Sequence, residues 1–235
     1  MRSYSQLVGR IKEASQRYGY EYQVLGYVGP NKQFELPRVI INPENYKKTV
    51  VVVAGVHGDE PAPVESVIQF IEESHPENHV RLLVHPIFSP WGYVHNQRKN
   101  GSGRDLNRTK SLILEPEQSL FFMSLINEQI DFFLTCHEDS WSRKIYAYAF
   151  GKQYSDLYKD ILKNAEKYMQ ININDRIDGL PASGGLIFDH ADHSLEDIMS
   201  RTGIPSMCSE TGKKMELESR IEANKEIIRA VSYMQ

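Results

Sequence analysis

Leu7, Ile11 and Ala14 recur at helical spacing within residues 3–18, and Gly19 follows as a stop, so the chain opens on an amphipathic helix. Two β-rich runs, 22–28 and 38–41, are divided by the turn signal Gly29-Pro30-Asn31 and read as a hairpin. Residues 49–54 differ from both. They form an unbroken, β-branched apolar run ended by Gly55, the pattern of a strand buried on both faces. Pro61 then begins a helix through Glu73, 80–87 reads as a strand, and 115–129 as a helix. Further strands are predicted at 132–136, 145–150 and 204–208, with helices at 155–169 and 216–234. Strand and helix alternate, which predicts an open α/β sheet in a single domain over residues 1–235. The predicted loop 89–110 is the exception to this short spacing, and loops of that length inside a compact domain are usually functional.

Composition narrows the partners. The 235 residues are 40% hydrophobic and 25% charged, which excludes disorder, collagen and coiled coil. Lys plus Arg number 27 against 31 Asp plus Glu, a net charge of −4, so no electrostatic hold on nucleic acid or an anionic membrane is expected. The apolar run 50–56 is too short to span a bilayer. Two cysteines far apart in sequence, Cys136 and Cys208, read as reduced core thiols, and the first residues lead into an amphipathic stretch rather than an apolar leader. The expectation is a cytoplasmic protein with a small-molecule partner.

The candidate chemistry sits at predicted strand ends. His57 and Glu60 are two residues apart just beyond the buried strand 49–54, where a turn can aim an imidazole and a carboxylate at one cation. His137 follows the strand 132–136 and offers a third ligand on the same rim, since ligands collect outside the carboxyl ends of strands in open α/β sheets. Two His and one Glu leave a coordination position free, as catalytic zinc requires. Glu210, after the strand 204–208, could take a proton from metal-activated water and pass it to a leaving amine. The long loop adds Arg98 and the run Arg104-Asp105-Leu106-Asn107-Arg108, whose arginine forks suit a substrate carboxylate and a developing oxyanion.

These motifs, in this order, resemble the carboxypeptidase A-type zinc metallopeptidase family, with its small bacterial murein-peptide amidases and its succinylglutamate desuccinylase/aspartoacylase-like deacylases. His57-Gly58-Asp59-Glu60 matches the His-x-x-Glu zinc motif, Ser89-Pro90-Trp91-Gly92 resembles an Asn-Pro-Asp-Gly turn with two substitutions, and Asp105-Leu106-Asn107-Arg108 matches a family tetrad. The resemblance implies an eight-stranded mixed, mostly parallel sheet flanked by helices on both faces, and one zinc ion on His57, Glu60 and His137. It also implies that Asn107 and Arg108 bind the substrate's terminal carboxylate, that Asp105 orients His57, that Arg98 polarises the scissile carbonyl, and that Glu210 is catalytic.

One departure bears on substrate choice. A tyrosine precedes the Ala-Ser-Gly-Gly segment in peptidases of the family, whereas Leu180 and Pro181 precede Ala182-Ser183-Gly184-Gly185 here, leaving Tyr146 and Tyr148 as candidates to replace it. The preferred expectation is a metallocarboxypeptidase acting on a small peptide, such as a cell-wall-derived one. The alternative is an N-acyl-amino-acid deacylase, suggested by the Pro61-Ala62-Pro63-Val64-Glu65 continuation and by Leu180. A third reading is a binding protein without turnover. Asp189-His190-Ala191-Asp192-His193 could be a second metal cluster or a polar turn entering a helix, and Glu138 and Asp139 are expected to set the pocket's charge.

Overall fold

The structure, a computed structural model, describes residues 2–42, 45–73, 79–109 and 113–234. Helix α1 (Tyr4–Tyr18) is capped by the Ser3 side chain, which accepts from the Gln6 amide, and ends at Gly19 with φ of 71°. That left-handed stop suits a residue without Cβ. The hairpin follows as β1 (Glu21–Val28) and β2 (Phe34–Ile41), paired antiparallel with an irregularity between Val24 and Gly26.

Beyond the hairpin come β3 (Lys48–Ala54), α2 (Pro61–Ile71), β4 (Val80–His85), α3 (Pro90–His95) and α4 (Pro116–Leu125). The second half holds β5 (Phe132–Asp139), β6 (Tyr146–Phe150), α5 (Ser155–Asn164), a small hairpin of β7 (Arg176–Ile177) with β8 (Leu180–Pro181), β9 (Leu186–Phe188), α6 (Leu195–Ser200), β10 (Ser206–Gly212) and α7 (Leu217–Ser232). Eight strands make one mixed sheet in the order β1-β2-β4-β3-β5-β10-β6-β9. Its centre, β4-β3-β5-β10, is parallel.

Alternation along the strands divides the core between the two faces. Val50, Val52, Leu134 and Cys136 pack with α1, α2, α5 and α7, whereas Val51, Val53 and Phe133 pack with Phe121 of α4 and Leu195 of α6. Both faces are thus covered, as the parallel centre of an α/β sheet requires. Among the described residues no helix is long and apolar enough to cross a membrane.

Three details differ from the sequence expectation. The loop predicted at 89–110 contains α3, whose Pro90 sits in the first turn, and its last residue, Lys110, lies outside the described residues. Strands β5 and β10 each continue past their apolar runs, because their shared ladder persists to the pairing of Gly212 with Asp139. His137 and Glu210 therefore stand within strands rather than after them. Finally β7, β8 and β9, two or three residues long, carry too little periodicity to be read from the sequence.

Candidate active site

The turn after β3 is held from several sides. Gly55 adopts φ of 65°, and the Phe88 and Ser89 amides donate to the carbonyls of Ala54 and Gly55 at 2.9 and 2.8 Å, tying the exit of β4 to the exit of β3. A Cβ on Gly58 would fall 1.9 Å from the Gly92 carbonyl carbon, so the turn 57–60 rests directly on the backbone of α3. Arg2 Nη1 donates to the Gly58 carbonyl at 2.7 Å and Lys213 Nζ to that of Asp59 at 2.6 Å. Pro61, without an N–H to satisfy, starts α2 immediately.

His57, Glu60 and His137 converge. Glu60 Oε1 lies 2.7 Å from His57 Nδ1 and Oε2 lies 3.0 Å from His137 Nδ1, while the two Nδ1 atoms are 3.1 Å apart. All three residues are buried. Two imidazole nitrogens facing each other beside a carboxylate are the donor set and spacing that a single cation reconciles, and His₂Glu is a zinc set with one position open. His57 Nε2 lies 3.0 Å from Asp105 Oδ1, so a neutral ring that donates there keeps its lone pair on Nδ1, facing the other two groups.

Glu210 arrives by register. Its β10 position pairs with His137 of β5 on one side and Tyr146 of β6 on the other, so one row across the sheet reads His137, Glu210, Tyr146. The next row reads Thr135, Cys208, Tyr148, with Cys208 Sγ 3.8 Å from Glu210 Oε1. Glu210, Tyr146, Cys208 and Tyr148 of these rows line a cavity of about 240 Å³ to which Glu60, Arg98, Asn107 and Arg108 also contribute. Cys136 is on the opposite face, and both cysteines are free thiols.

The loop supplies the opposite wall. Arg98 is half exposed, with Nε donating to Asp105 Oδ2 at 3.1 Å and Nη1 3.5 Å from Glu60 Oε1. Arg108 donates to the Asn107 carbonyl at 2.6 Å and pairs with Asp192 at 3.1 Å. Asn107 is buried. Its Oδ1 accepts from the Leu195 amide at 3.0 Å, and its Nδ2 lies 3.5 Å from His137 Nε2. Arg104, by contrast, is exposed beside Glu115 and does not line this cavity.

Local electrostatics follow from burial and crowding. Burial pushes the Glu210 carboxyl up to about 8; His137 opposes the shift, and Glu60, Asp139 and Glu196 add to it. Burial alone would lower His57, but the charge of Glu60 and the hydrogen bonds to Asp105 and Glu60 reverse that and raise it to about 9. The two histidines hold Glu60 well below the usual carboxylate range despite its burial.

Several site neighbours carry no motif. Tyr148 Oη donates to Asp178 Oδ2 at 2.7 Å, and Tyr146 Oη lies 3.2 Å from the same oxygen and 3.3 Å from Asp139 Oδ2. Leu180 and Tyr148 both pack against the small cluster of Tyr146, Ile177 and Ile187. Glu196 of α6 is buried, accepts from Thr135 Oγ1, and stands 3.9 Å from His137 Nε2. Asp178 and Glu196 lie outside every spaced pattern, and only the packing of the β7-β8 hairpin and of α6 brings them in.

Asp139 and Glu138 both line the cavity, as the pocket-charge expectation has them, although the carboxylate of Glu138 is already paired. Alternation turns its side chain away from His137, and its carboxylate takes Arg220 and the Ala62 amide at the start of α2. In the 189–193 segment, Asp197 of α6 accepts the amides of Asp192 and His193, and Asp189 accepts that of Gly151, so these groups shape a turn.

Residues 46–166, just over half of the 235, match the succinylglutamate desuccinylase/aspartoacylase catalytic domain. The chain belongs to that family. The matched span carries His57, Glu60, Arg98, Asp105, Asn107, Arg108 and His137, while Glu210 lies beyond it. Membership of the desuccinylase/aspartoacylase family makes the chain a metallohydrolase. Among solved structures, a candidate metallopeptidase from Shewanella amazonensis superposes with a TM-score of 0.86 at 24% identity, covering 96% of this chain and 91% of that one. One from Shewanella baltica gives 0.81 at 26% identity over 96% and 90%. A metallo-carboxypeptidase from Burkholderia cenocepacia gives 0.78 at 14% identity over 98% of this chain and 68% of that one, a likeness of fold. No curated protein matches the sequence.

Proposed function

We propose that the protein is a zinc-dependent amide hydrolase, acting as a metallocarboxypeptidase on a small peptide with a free carboxylate. The observation that carries this reading is the convergence of His57 Nδ1, His137 Nδ1 and the Glu60 carboxylate on the rim of a cavity that also holds Glu210 and Arg98. His57, Glu60 and His137 would hold one zinc ion. When bound, the ion supplies Lewis acidity, polarising a carbonyl and lowering the pKa of water.

The remaining work falls to the chain. Glu210, which a bound cation nearby would return to its ionised form, accepts a proton as general base and returns it to the leaving amine. Arg98, turned toward Glu60, offers charge where the carbonyl oxygen becomes negative. Asp192 aims the Arg108 fork, and Asn107 Nδ2, 3.5 Å from His137 Nε2, belongs to a side chain whose oxygen is already engaged, so the two together suit a substrate carboxylate. Asp105 keeps His57 in one tautomer.

Deacylation of an N-acyl amino acid is the second reading, favoured by the family match and by Leu180 where peptidases of similar pattern carry tyrosine. Both reactions release an amino acid whose carboxylate the same clamp would hold. Mass spectrometry after exposing the zinc-loaded protein to short peptides, γ-D-glutamyl-diaminopimelate peptides and N-acyl amino acids separates them, with Glu210→Gln as the blank. Release of a C-terminal residue supports the peptidase. Release of a free acyl acid moves the protein to the deacylases, and no metal-dependent product from any substrate overturns both.

A further inference from the structure

Both candidate histidine ligands need a partner for the same proton, and only one of them has an obvious one. A neutral imidazole that gives its Nδ1 lone pair to a cation carries its proton on Nε2, and a buried N–H needs an acceptor. For His57 that acceptor is Asp105 at 3.0 Å. For His137 the group closest to Nε2 among those described is Asn107 Nδ2 at 3.5 Å, which is itself a donor. Asn107 cannot turn its oxygen there without stranding the Leu195 amide, which that oxygen accepts at 3.0 Å. Cys208 offers a thiol sulfur, a weak acceptor. The carboxylate of Glu196 remains, 3.9 Å away, 1% exposed and held in place by the Thr135 hydroxyl.

We infer that Glu196 is the positioning residue for His137, closing its 3.9 Å gap to accept the Nε2 proton when a metal is bound and so presenting Nδ1 to the metal. This role rests on the zinc reading of His57, Glu60 and His137. It makes the site two-sided: Asp105 from the long loop backs one histidine, and Glu196 from α6 backs the other. Asn107 joins the two sides, because its amide N–H donates to Asp105 Oδ1 at 2.9 Å while its side chain anchors the start of α6. Carboxylates that hold a ligand imidazole raise its basicity and fix its ring, and their loss typically costs about 10- to 100-fold in metal affinity.

The test is zinc affinity of the full chain, measured by competition with a chromophoric chelator, with metal-free melting recorded alongside. Glu196→Gln keeps the shape and an acceptor for Thr135 but removes the charge. The expected result is one zinc per parent chain, about 10- to 100-fold weaker binding in Glu196→Gln, partial recovery in Glu196→Asp, and a comparable loss in Asp105→Asn. Parent-like affinity in Glu196→Gln overturns the inference and leaves the metal site standing. A parent that binds no zinc overturns both. Two zinc ions per chain, with the second lost in Glu196→Gln and in Cys208→Ser, would make Glu196 a ligand and overturn its positioning role. Should the variants not fold, NMR of the zinc-loaded parent decides: a downfield, exchange-protected His137 Nε2 proton is expected, and a rapidly exchanging one overturns the inference.

Discussion

The metal corner and the tyrosine wall share one cavity but are built in opposite ways. At the corner, His57, Glu60 and His137 are buried and each side chain is bonded to residues from other segments, so a change to one group disturbs the rest. At the wall, Tyr146 and Tyr148 of β6 meet Asp178 in the turn of a two-stranded hairpin whose strands join no ladder of the main sheet. The corner is over-determined, as chemistry at a metal demands, and the wall is adjustable. Under the proposed function, substrate choice would change at the wall while the catalytic geometry stays in place.

Substitutions should separate the two regions by size and kind of effect. Glu210→Gln should lower kcat by about 10²- to 10⁴-fold with zinc content unchanged; steady-state kinetics with metal analysis checks it, and full activity in the folded variant would remove Glu210 from the mechanism. Arg98→Ala should cost about 10²- to 10³-fold in kcat if it supports charge on the carbonyl oxygen. A change confined to KM would instead make Arg98 a substrate anchor.

Without metal, the corner should also set the pH dependence of stability. Glu210, raised to about 8, and His57, raised to about 9, keep protons that the unfolded chain releases near its ordinary values of about 4.3 and 6.5. The folded state then binds more protons across this range, so stability falls as pH rises through it. The metal-free melting temperature should drop between about pH 4.3 and 9, and Glu210→Gln should flatten the part of that slope below about pH 8; a parent profile already flat would contradict it.

The smallest effect is expected at the wall. Tyr148→Phe removes one hydrogen bond to Asp178, of net worth about 0.5–1.5 kcal/mol, so KM should move several-fold at most while zinc affinity stays constant. A fall in zinc affinity comparable to that expected of Asp105→Asn would erase the distinction between the two regions.

Much of the corner is legible in the sequence. His57, Glu60, Asp105, Asn107 and Arg108 fall in short spaced motifs, and His137 and Glu210 adjoin apolar runs that announce central strands. The ends of those strands are not legible in the same way: polarity stops the apolar run, but backbone pairing between β5 and β10 continues to Asp139 and Gly212. Glu138 lines the cavity beside His137, but period-two alternation takes its carboxylate to Arg220, a pairing that no motif announces.

The sequence by itself determined the longer strands and helices and the identity of the groups able to bind a cation, because periodicity, turn residues and donor chemistry are local properties of the chain. Only the tertiary structure decided which face of each strand met which neighbour. Glu196 and Asp178 reach the cavity because α6 packs beneath His137 and a short hairpin folds over β6, and contacts between segments so far apart in the chain depend on packing that no local pattern encodes.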